Sequence, residues 1–463
     1  MNRMKLNIKW LSMMMALCMV VLAACSGNGD EKASSQPPAS SSPEASETGG
    51  AKAEPKTLKV NFFQGGYGDA WFIELKKQFE SIHENVTVEL EGDPGIAEKI
   101  GPRMETGNNV PDVVFMPWDW QQGASQGLLA DLSDLYNGES ADGGSFKDSM
   151  NNAAQQAALY QGTPYVIPWS DGVLSMAYNA GMLEENGWEV PDTWAEFAEL
   201  AEKIKAKGIA PIVYPGLVIG YWDFVVSPLV IQAGGLGYVD ELQKLESPEV
   251  LNNPAKLQAL EQFERIMKSD WLLKGSEAMN HTEAQMQFVN GKAAFIPNGN
   301  WLENEMKSAT PEGFKMKMMK VPALDNAKDK DIYYSLVGPE VSFVPAKAKE
   351  IELGKEFIKF AASREMNRKF TELTGSFRPF NYDLEGIQVS EFTKSVNEIM
   401  QNNKAFAFTS KSPMYIKFGG IYPSGDPYGA ISTGQLTAQQ QFDNDYKFAK
   451  EKWDAYKKEL GIE

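Results

Sequence analysis

The stretch Thr57-Leu-Lys-Val-Asn-Phe-Phe63 alternates apolar and polar residues, and residues 70–82 follow it with apolar positions at helical spacing. The alternation predicts a β-strand, and the wider spacing predicts an amphipathic helix. The same order of strand, helix and strand recurs in residues 86–90, 96–106 and Val110-Pro-Asp-Val-Val-Phe-Met116. Because strands that alternate with helices in this way are typical of parallel sheets, the sequence predicts the α/β class.

Two loops follow strands of this predicted sheet. Residues 64–69 include Gln64-Gly-Gly-Tyr-Gly68, and residues 117–122 include Trp118-Asp-Trp120. In open α/β sheets, ligands bind in the loops beyond the carboxyl ends of the strands. We therefore expect binding residues in both loops.

The rest of the folded part is predicted to be mostly helical with short strands. Its best-marked helix begins after Asp192-Thr193, which is a good N-cap pair, and ends at Gly208. The C-terminal third is predicted to contain helices over residues 350–363, 365–374 and 436–460. About 400 globular residues are too many for one small core, so we expect two lobes.

The N-terminus has the pattern of a secretory signal peptide. Arg3, Lys5 and Lys9 precede an apolar run, residues 11–24, that ends in Leu22-Ala-Ala-Cys25. The run is shorter than the roughly 20 residues of a membrane span. Cys25 at the cleavage point resembles a bacterial lipobox, which implies that it becomes the lipidated first residue of the mature chain. A membrane anchor and an ordinary secreted protein are the alternatives.

Residues 26–56 are predicted to be a disordered linker. They contain no aromatic residue and no aliphatic residue larger than alanine, so they cannot bury enough surface to fold. The N-terminal organisation is therefore a signal peptide over residues 1–24, then lipidated Cys25 and its linker up to residue 56. We expect an extracytoplasmic protein anchored to the cell membrane through Cys25.

Charge and composition exclude several classes of function. The formal net charge is −18, which argues against nucleic acid as a partner because phosphates demand basic patches. Both cysteines, Cys18 and Cys25, lie at the N-terminus, and the chain has only His83 and His281. A disulfide, a cysteine nucleophile and a histidine-rich zinc site are thus not expected in the folded part. No phosphate-binding glycine motif is present, and we expect neither a cofactor nor a metal.

Several segments, in order, resemble the extracellular sugar-binding proteins that feed ABC importers, including the maltodextrin-binding proteins. They extend over residues 57 to about 380. These segments are Gly107-Asn-Asn-Val-Pro-Asp-Val-Val-Phe115 with Gly127-Leu-Leu-Ala-Asp131, Tyr165-Val-Ile-Pro168 with Tyr178-Asn179, Gly187 to Phe197, and Phe288-Val-Asn-Gly-Lys-Ala-Ala-Phe-Ile-Pro-Asn-Gly-Asn-Trp301.

The resemblance implies a two-lobed, type II periplasmic-binding-protein-like fold whose chain crosses between the lobes three times. The crossings are expected near residues 168–172, 295–298 and 338–343. Lobe one would then contain residues 57–168 and 298–338. Lobe two would contain residues 169–297 and 339–463. Lobes joined by short segments close by hinge motion around a ligand.

A second set of segments resembles the N-acetylglucosamine/diacetylchitobiose-binding lipoproteins. These segments are His281-Thr-Glu-Ala-Gln285, Gly291 to Met306 and Val344-Pro-Ala-Lys-Ala348. Members of that family often have cysteine and serine where this chain has Asn298 and Asn300. The difference falls beside the expected ligand loop, so the family likeness leaves the exact sugar open.

A sugar presents an apolar C–H face to aromatic rings and hydroxyl groups to polar side chains. We therefore looked for Trp or Tyr beside small polar residues in loops. The resulting candidates are Gln64, Tyr67, Trp118, Asp119, Trp120, Trp169, Asp171, Tyr221, Trp222, Asn298, Asn300, Trp301 and Arg378. The resemblance implies that Asp119 accepts sugar hydroxyls and that Trp301 stacks on the sugar.

Some of these candidates have a competing structural interpretation. One tryptophan of Trp118-Asp-Trp120 is equally suited to packing into the lobe, and Trp222 to a helix core. Arg378 has the fork of donors that an acetamido carbonyl or ring oxygen needs, but a surface ion pair is the alternative.

Three functions remain open at this stage. The first is a monomeric carrier of a sugar or short oligosaccharide that delivers its ligand to an ABC import permease. The second is a surface glycosidase or lyase, for which two carboxylates would suffice. The third is a glycan-sensing lipoprotein with the same site. We favour the carrier and a non-enzyme, because hydrogen bonding alone explains acids such as Asp119 and Asp171.

Overall fold

The computed structural model describes residues 54–409, 411, 412, 416 and 428–460. The predicted signal peptide, Cys25 and nearly all of the predicted linker lie outside the described residues. The described part contains two sheets of five and six strands, which define lobe one and lobe two, and a short two-stranded ladder. In chain order, the strands are β1 (Lys56–Phe62), β2 (Val86–Gly92), β3 (Val113–Pro117), β4 (Leu159–Tyr160), β5 (Thr163–Pro164), β6 (Ile167–Pro168), β7 (Val173–Asn179), β8 (Ala210–Ile212), β9 (Ala293–Gly299), β10 (Met316–Met319), β11 (Ile332–Ser335), β12 (Glu340–Phe343) and β13 (Lys404–Phe406).

The sheet of lobe one has the order β2-β1-β3-β12-β6. β1 pairs in parallel with β2 and with β3, as the strand–helix alternation predicts. β12 then runs antiparallel to both β3 and β6. The carboxyl ends of β1 and β3 therefore lie at the same edge, and the loops after them are neighbours.

The sheet of lobe two has the order β13-β11-β7-β9-β8, and β10 pairs with β7. β7 is buried along its whole length because it pairs with β9, β10 and β11. β9, with Ala293-Ala-Phe-Ile-Pro-Asn-Gly299, is also buried throughout. A strand buried on both faces is expected to be largely apolar, and both segments are, with Ser175 and Asn179 the polar residues of β7 and Asn298 that of β9.

Helices cover both sheets. In chain order, they are α1 (Ala70–Ile82), α2 (Ile96–Thr106), α3 (Trp120–Ser125), α4 (Ser133–Asn137), α5 (Phe146–Ser149), α6 (Asn152–Ala157), α7 (Ala180–Asn186), α8 (Trp194–Ala206), α9 (Asp223–Gly234), α10 (Gly237–Lys244), α11 (Pro254–Lys268), α12 (His281–Val289), α13 (Leu302–Met306), α14 (Ile351–Ala361), α15 (Arg364–Thr374), α16 (Glu391–Asn402), α17 (Gly429–Ser432) and α18 (Ala438–Leu460). Short 3-10 helices occupy Gly216–Trp222, Pro248–Leu251 and Ser276–Ala278.

Each lobe has its own apolar core. In lobe one, α1, α14 and α15 bury Trp71, Phe357 and Phe370 against strand residues such as Phe115. In lobe two, Phe197 of α8 and Phe263 of α11 pack with Phe295 of β9 and with Trp222. Gly216–Gly234 is long and apolar enough to cross a membrane by length and composition. Its α9 part, however, is in the core of lobe two.

The strand pairing differs from the expected lobe assignment of residues 298–338 and 339–463. β10 and β11 pair with β7 and so belong to lobe two, whereas β12 pairs with β3 in lobe one. α14 and α15 also pack into the core of lobe one. The long-range antiparallel register of β10 and β11 on β7 decides this arrangement, and local sequence patterns do not carry that information.

The chain passes between the lobes three times in the described residues. It leaves lobe one between β6 and β7, returns between β11 and β12, and leaves again between α15 and α16. The expected crossing at residues 295–298 is wrong, because β9 continues to Gly299 inside the sheet of lobe two.

Candidate functional site

A cavity of about 520 Å³ lies between the two lobes. Lobe one contributes Trp118 and Asp119 from the loop after β3 and Gln121 from the start of α3, and the crossing before β12 contributes Gly338 and Pro339. Lobe two contributes aliphatic side chains, such as Val226 and Leu260, together with aromatic, hydroxyl and carboxyl groups. Those lining residues include Asp223, Ser227, Tyr238, Tyr334, Phe408, Thr409 and Tyr428. The volume is within the usual range for small-molecule sites, and the mixture of rings and polar groups suits a polyhydroxylated ligand.

Trp118 and Asp119 reach this cavity because β3 ends at Pro117. The Trp118 backbone N–H donates to the Pro339 carbonyl oxygen at 2.9 Å, which ties the loop to the second crossing. The half-buried Trp118 ring packs on Phe343 with its centroid 5.0 Å away. Asp119 is exposed by surface area, yet the loss of water around its carboxyl raises its pKa. A partly desolvated carboxylate at a cavity wall is suited to accept ligand hydroxyls.

Asp223 faces the same cavity from the first turn of α9. Its Oδ1 accepts from Ser227 Oγ and from Tyr428 Oη, both at 2.7 Å. Burial raises the pKa of this carboxyl, and the hydroxyl groups of Ser227, Tyr428 and Tyr334 oppose that shift. Sequence reasoning missed Asp223, although Tyr221-Trp-Asp223 has the same aromatic–acid pattern as Trp118-Asp119. Tyr334 and Phe408 were also missed, because nothing local separates them from core aromatics.

A cluster of half-buried aromatic rings forms a second part of the region between the lobes. Trp301 meets Phe224 and Tyr221 edge to face, with centroids 5.9 and 6.4 Å apart. Gly66, in the loop after β1, lies against Trp301, and a Cβ at that position would be 2.8 Å from Trp301 Cβ. Asn304 Nδ2 donates to the Gly66 carbonyl oxygen at 2.6 Å. The Gly66 loop of lobe one therefore touches the ring cluster of lobe two.

The family comparison agrees with this two-lobed arrangement around an aromatic and polar cavity. The family model for the bacterial extracellular solute-binding protein matches residues 65–368. The chain belongs to this family. The family resemblance inferred from the sequence is therefore confirmed. The expected location outside the cytoplasm is confirmed with it.

Individual relatives bind sugars according to their names. The chain is 25% identical over 355 residues to the diacetylchitobiose binding protein NgcE of Streptomyces coelicolor, covering 75% of each chain. It is 22% identical over 392 residues to the multiple sugar-binding protein of Streptococcus mutans, covering 83% of this chain and 87% of the other. Among solved structures, SBP RafE in complex with raffinose has a TM-score of 0.67 at 19% identity, covering 85% of this chain and 99% of that one. The two-lobed α/β fold is confirmed.

Three of the predicted stacking tryptophans are core residues in this solute-binding protein. Trp120, Trp169 and Trp222 are each at most 1% exposed. Trp120 packs in the apolar cluster on one face of β3. Trp169 stacks on Trp71 with ring centroids 6.0 Å apart, and Trp222 contacts Phe263. Their ring faces are occupied, so the prediction that they stack on a sugar is wrong for this conformation. The structural interpretation of Trp222 as helix core is the correct one.

Arg378 matches neither of its two predicted roles. Its guanidinium is buried and donates to the carbonyl oxygens of Trp169 and Ala361 and to Asn367 Oδ1. It also lies 4.7 Å from the ring centroid of Trp71. Burial lowers its pKa to about 9. Arg378 therefore ties α14 and α15 to the first crossing, and each of its three nitrogen atoms donates to a group of the protein.

The remaining candidates lie at the first crossing, at the end of β9 or in the loop after β1. Asp171 is buried and accepts from Ser335 Oγ at 2.7 Å and from Asn151 Nδ2 at 3.2 Å. Asn298 and Asn300 are each 1% exposed, and Asn300 Nδ2 donates to the Asp171 carbonyl oxygen at 3.4 Å. Gln64 is exposed, whereas Tyr67 packs on Trp169 and Phe370.

Gly172, between these groups, has φ +155, and a Cβ there would overlap the Asn300 side chain at 2.2 Å. Because Gly172 has no side chain, the backbone of the first crossing can approach the Asn300 side chain closely. The described residues contain no group of three or more His, Cys, Asp or Glu side chains that could hold a metal ion.

Proposed function

We propose that this solute-binding protein is a carrier of a sugar or short oligosaccharide and binds it between the lobes. The observation that carries the proposal is the 520 Å³ cavity, to which both lobes contribute aromatic rings and polar groups. Trp118 and the neighbouring Trp301–Tyr221–Phe224 cluster offer rings for the C–H face of a sugar. Asp119 offers oxygen atoms for its hydroxyls. Relatives named for diacetylchitobiose and other sugars support this ligand class, with chitooligosaccharides the first choice.

The proposal also includes a location at the membrane surface. The carrier delivers its ligand to the permease of an ABC importer and works as a monomer, anchored through a lipid on Cys25. The support for the anchor is the sequence alone, namely the apolar run before Cys25 and the polar segment of residues 26–56. Mass spectrometry of the protein purified from bacterial membranes tests the anchor. A mature chain that begins elsewhere than at a diacylglyceryl-modified Cys25 contradicts it.

A screen of neutral oligosaccharides tests the ligand class. The purified chain, kept free of added metal, is mixed with chito-, malto-, xylo- and manno-oligosaccharides. Thermal unfolding and titration calorimetry are then recorded. We expect one series to raise the melting temperature and to give a saturable heat, because a ligand that binds only the folded state stabilises it. The absence of a response to every glycan contradicts the proposal.

One observation favours glycan cleavage as a second candidate. Asp119 and Asp223 line the same cavity, and both have raised pKa values. Glycoside hydrolysis needs two carboxyl groups flanking the bond, one protonated as general acid with a raised pKa and the other ionised as base or nucleophile. Incubating the chain with the oligosaccharide that binds it and measuring reducing ends over hours distinguishes the two functions. Release of reducing ends that disappears in both Asp119→Asn and Asp223→Asn favours the enzyme.

A further inference from the structure

Polar side chains from four separate segments meet where the chain crosses between the lobes. Tyr67 comes from the loop after β1, Ser170 and Asp171 from the first crossing, Asn300 from the end of β9, and Glu340 from the start of β12. Ser170, Asp171 and Asn300 are at most 2% exposed, and Glu340 is 9% exposed. Tyr67 is close enough to interact with the other four residues. We call these five residues the hinge cluster.

Four side-chain atoms of the hinge cluster have no well-aligned hydrogen-bond partner. The unpaired atoms are Tyr67 Oη, Ser170 Oγ, Asn300 Oδ1 and Glu340 Oε2. Within the cluster, the Asp171 carboxylate is the well-satisfied group, with Ser335, Asn151 and the Gly172 N–H as donors. Each buried polar group left unpaired costs about 1–3 kcal/mol. The conformation that buries these atoms is therefore disfavoured against one in which water reaches them.

Glu340 has no cation to offset its burial. The groups around it are the Tyr67 hydroxyl, the Trp169 indole and, next to Tyr67, the Asp171 carboxyl. The Arg378 guanidinium donates to Trp169, Ala361 and Asn367 instead, and Glu340 forms no ion pair with another described residue. Burial without a cation raises the pKa of Glu340 to about 8, and burial also raises that of Asp171 to about 6. In this conformation Glu340 is thus a neutral acid at pH 7.

We propose that the lobes close with the uptake of one proton by Glu340, so that the hinge cluster makes opening and closing sensitive to pH. An open cleft lets water reach Glu340, which then ionises like an ordinary glutamic acid, and closing returns it to a site without a counter-ion. The closed form therefore binds the proton that the open form releases. Raising the pH therefore favours the open form, and lowering the pH favours the closed form.

The ligand-free chain gives the first test, which does not depend on the proposed sugar. Small-angle scattering is recorded on the full chain between about pH 5.5 and 8.5, and we expect the radius of gyration to increase over that interval. Glu340→Gln keeps a neutral side chain of the same shape, so its radius should stay near the low-pH value throughout. Glu89→Gln, on the exposed face of β2 and away from the hinge cluster, is the control and should retain the increase above pH 7. A radius that is constant in the parent chain overturns the proposal.

Ligand binding gives the second test, and this one rests on the proposed function. Calorimetry with the oligosaccharide found by screening, in buffers of different ionisation enthalpy, should show uptake of up to one proton. Affinity should then fall by up to about tenfold per pH unit between pH 6 and 8. Glu340→Gln should abolish both effects. If no glycan binds but the scattering still changes with pH, the proposed function fails and the hinge inference stands. If a glycan binds equally well at every pH, the inference fails alone.

A second variant covers the outcome in which Glu340→Gln does not fold. Tyr67→Phe removes one unpaired hydroxyl and keeps the ring contacts with Trp169 and Phe370. It should favour the closed form at every pH, so the radius falls while its dependence on pH remains. A larger radius in Tyr67→Phe contradicts the view that the unpaired atoms favour opening.

Discussion

The Trp301 ring is accommodated by the smallest residues around it. Gly299 and Gly66 leave room for its ring, because a Cβ on either would lie less than 3.0 Å from Trp301 atoms. Phe224 and Tyr221 hold the ring by its edge, which leaves it half-buried. Burial raises the pKa of the Tyr221 hydroxyl to about 12, so this residue stays neutral. The cluster is an uncharged aromatic surface with one partly open ring.

Replacing Trp301 by Ala should weaken oligosaccharide binding by about tenfold or more, since one ring–sugar contact of about 1–2 kcal/mol is lost. Titration calorimetry measures the change. Trp453→Ala is the matched control, because Trp453 is also half-buried but packs on Tyr456 in α18. Unchanged affinity in Trp301→Ala, or an equal loss in the control, would show that the ring cluster is not part of the binding site.

Arg378 stabilises the folded protein and is not available for direct contact with a ligand. Arg378→Met keeps most of the apolar stem but leaves the carbonyl oxygens of Trp169 and Ala361 without donors. We expect the free energy of unfolding to fall by about 3 kcal/mol. Urea unfolding gives the value. Arg364→Met is the control, since its exposed ion pair with Asp383 should be worth less than about 1 kcal/mol. Equal losses in the two variants would contradict the assigned role.

Helices and strands that have a local sequence signal were predicted well, whereas the pairing of strands that are distant in sequence was not. The helix after Thr193 begins as expected, with a capping box formed by Thr193 and Glu196. The alternation in residues 57–63 predicted β1, and its parallel pairing followed from the helix between the strands. β10 and β11, by contrast, find their partner β7 across more than a hundred residues. No local pattern encodes that choice, so these strands were assigned to the wrong lobe.

In the candidate site, too, the residues with a local sequence signal were predicted and those placed by distant packing were not. Position after a strand correctly brought Trp118 and Asp119 to a cavity wall. Composition could not separate Trp118 from Trp120, because both belong to one short motif and only tertiary packing decides which ring is buried. Asp223 and Tyr334 come to the cavity only through the packing of α9 on the sheet of lobe two. Residues brought in by packing were the ones that sequence reasoning missed.

A buried ion pair joins α18 to α11 at the wall of the cavity. Lys256 Nζ lies 2.8 Å from Asp445 Oδ2, with side-chain exposures of 7% and 0%, and Gln441 also donates to Asp445. Burial lowers the pKa of Lys256 and raises that of Asp445, so desolvation opposes the charged state of both groups. Such a pair adds little over apolar packing but is costly to break on one side only.

Lys256→Met alone should therefore reduce the free energy of unfolding by about 3–5 kcal/mol, because it leaves Asp445 buried without its cation. The double variant Lys256→Met with Asp445→Leu should recover most of that loss. Lys244→Met, which breaks an exposed pair with Asp240, is the control and should change stability by less than about 1 kcal/mol. Urea unfolding of the three variants provides the comparison. A double variant less stable than Lys256→Met contradicts this account.

The whole molecule combines a strongly acidic surface with a cavity whose described walls carry little free positive charge. The formal net charge is −18. Asp119 and Asp223 face the cavity, and the cation among the described lining residues, Lys256, is held by Asp445. A ligand that brings its own carboxylate meets repulsion both on approach and when bound. The charge distribution therefore favours a neutral sugar and opposes a sugar acid.

We expect a uronic-acid analogue to bind about tenfold or more weakly than the matching neutral oligosaccharide, since two like charges about 6 Å apart repel by about 1–3 kcal/mol near a protein surface. Calorimetry on neutral and acidic pairs of equal length measures this ratio. Asp119→Asn and Asp223→Asn should each reduce the ratio, because each removes one of the two negative charges at the cavity wall. Glu89→Gln, on the exposed face of β2, is the control and should leave it unchanged. Tighter binding of the acid would mean that a cation reaches the ligand and that the two aspartates do not set its charge.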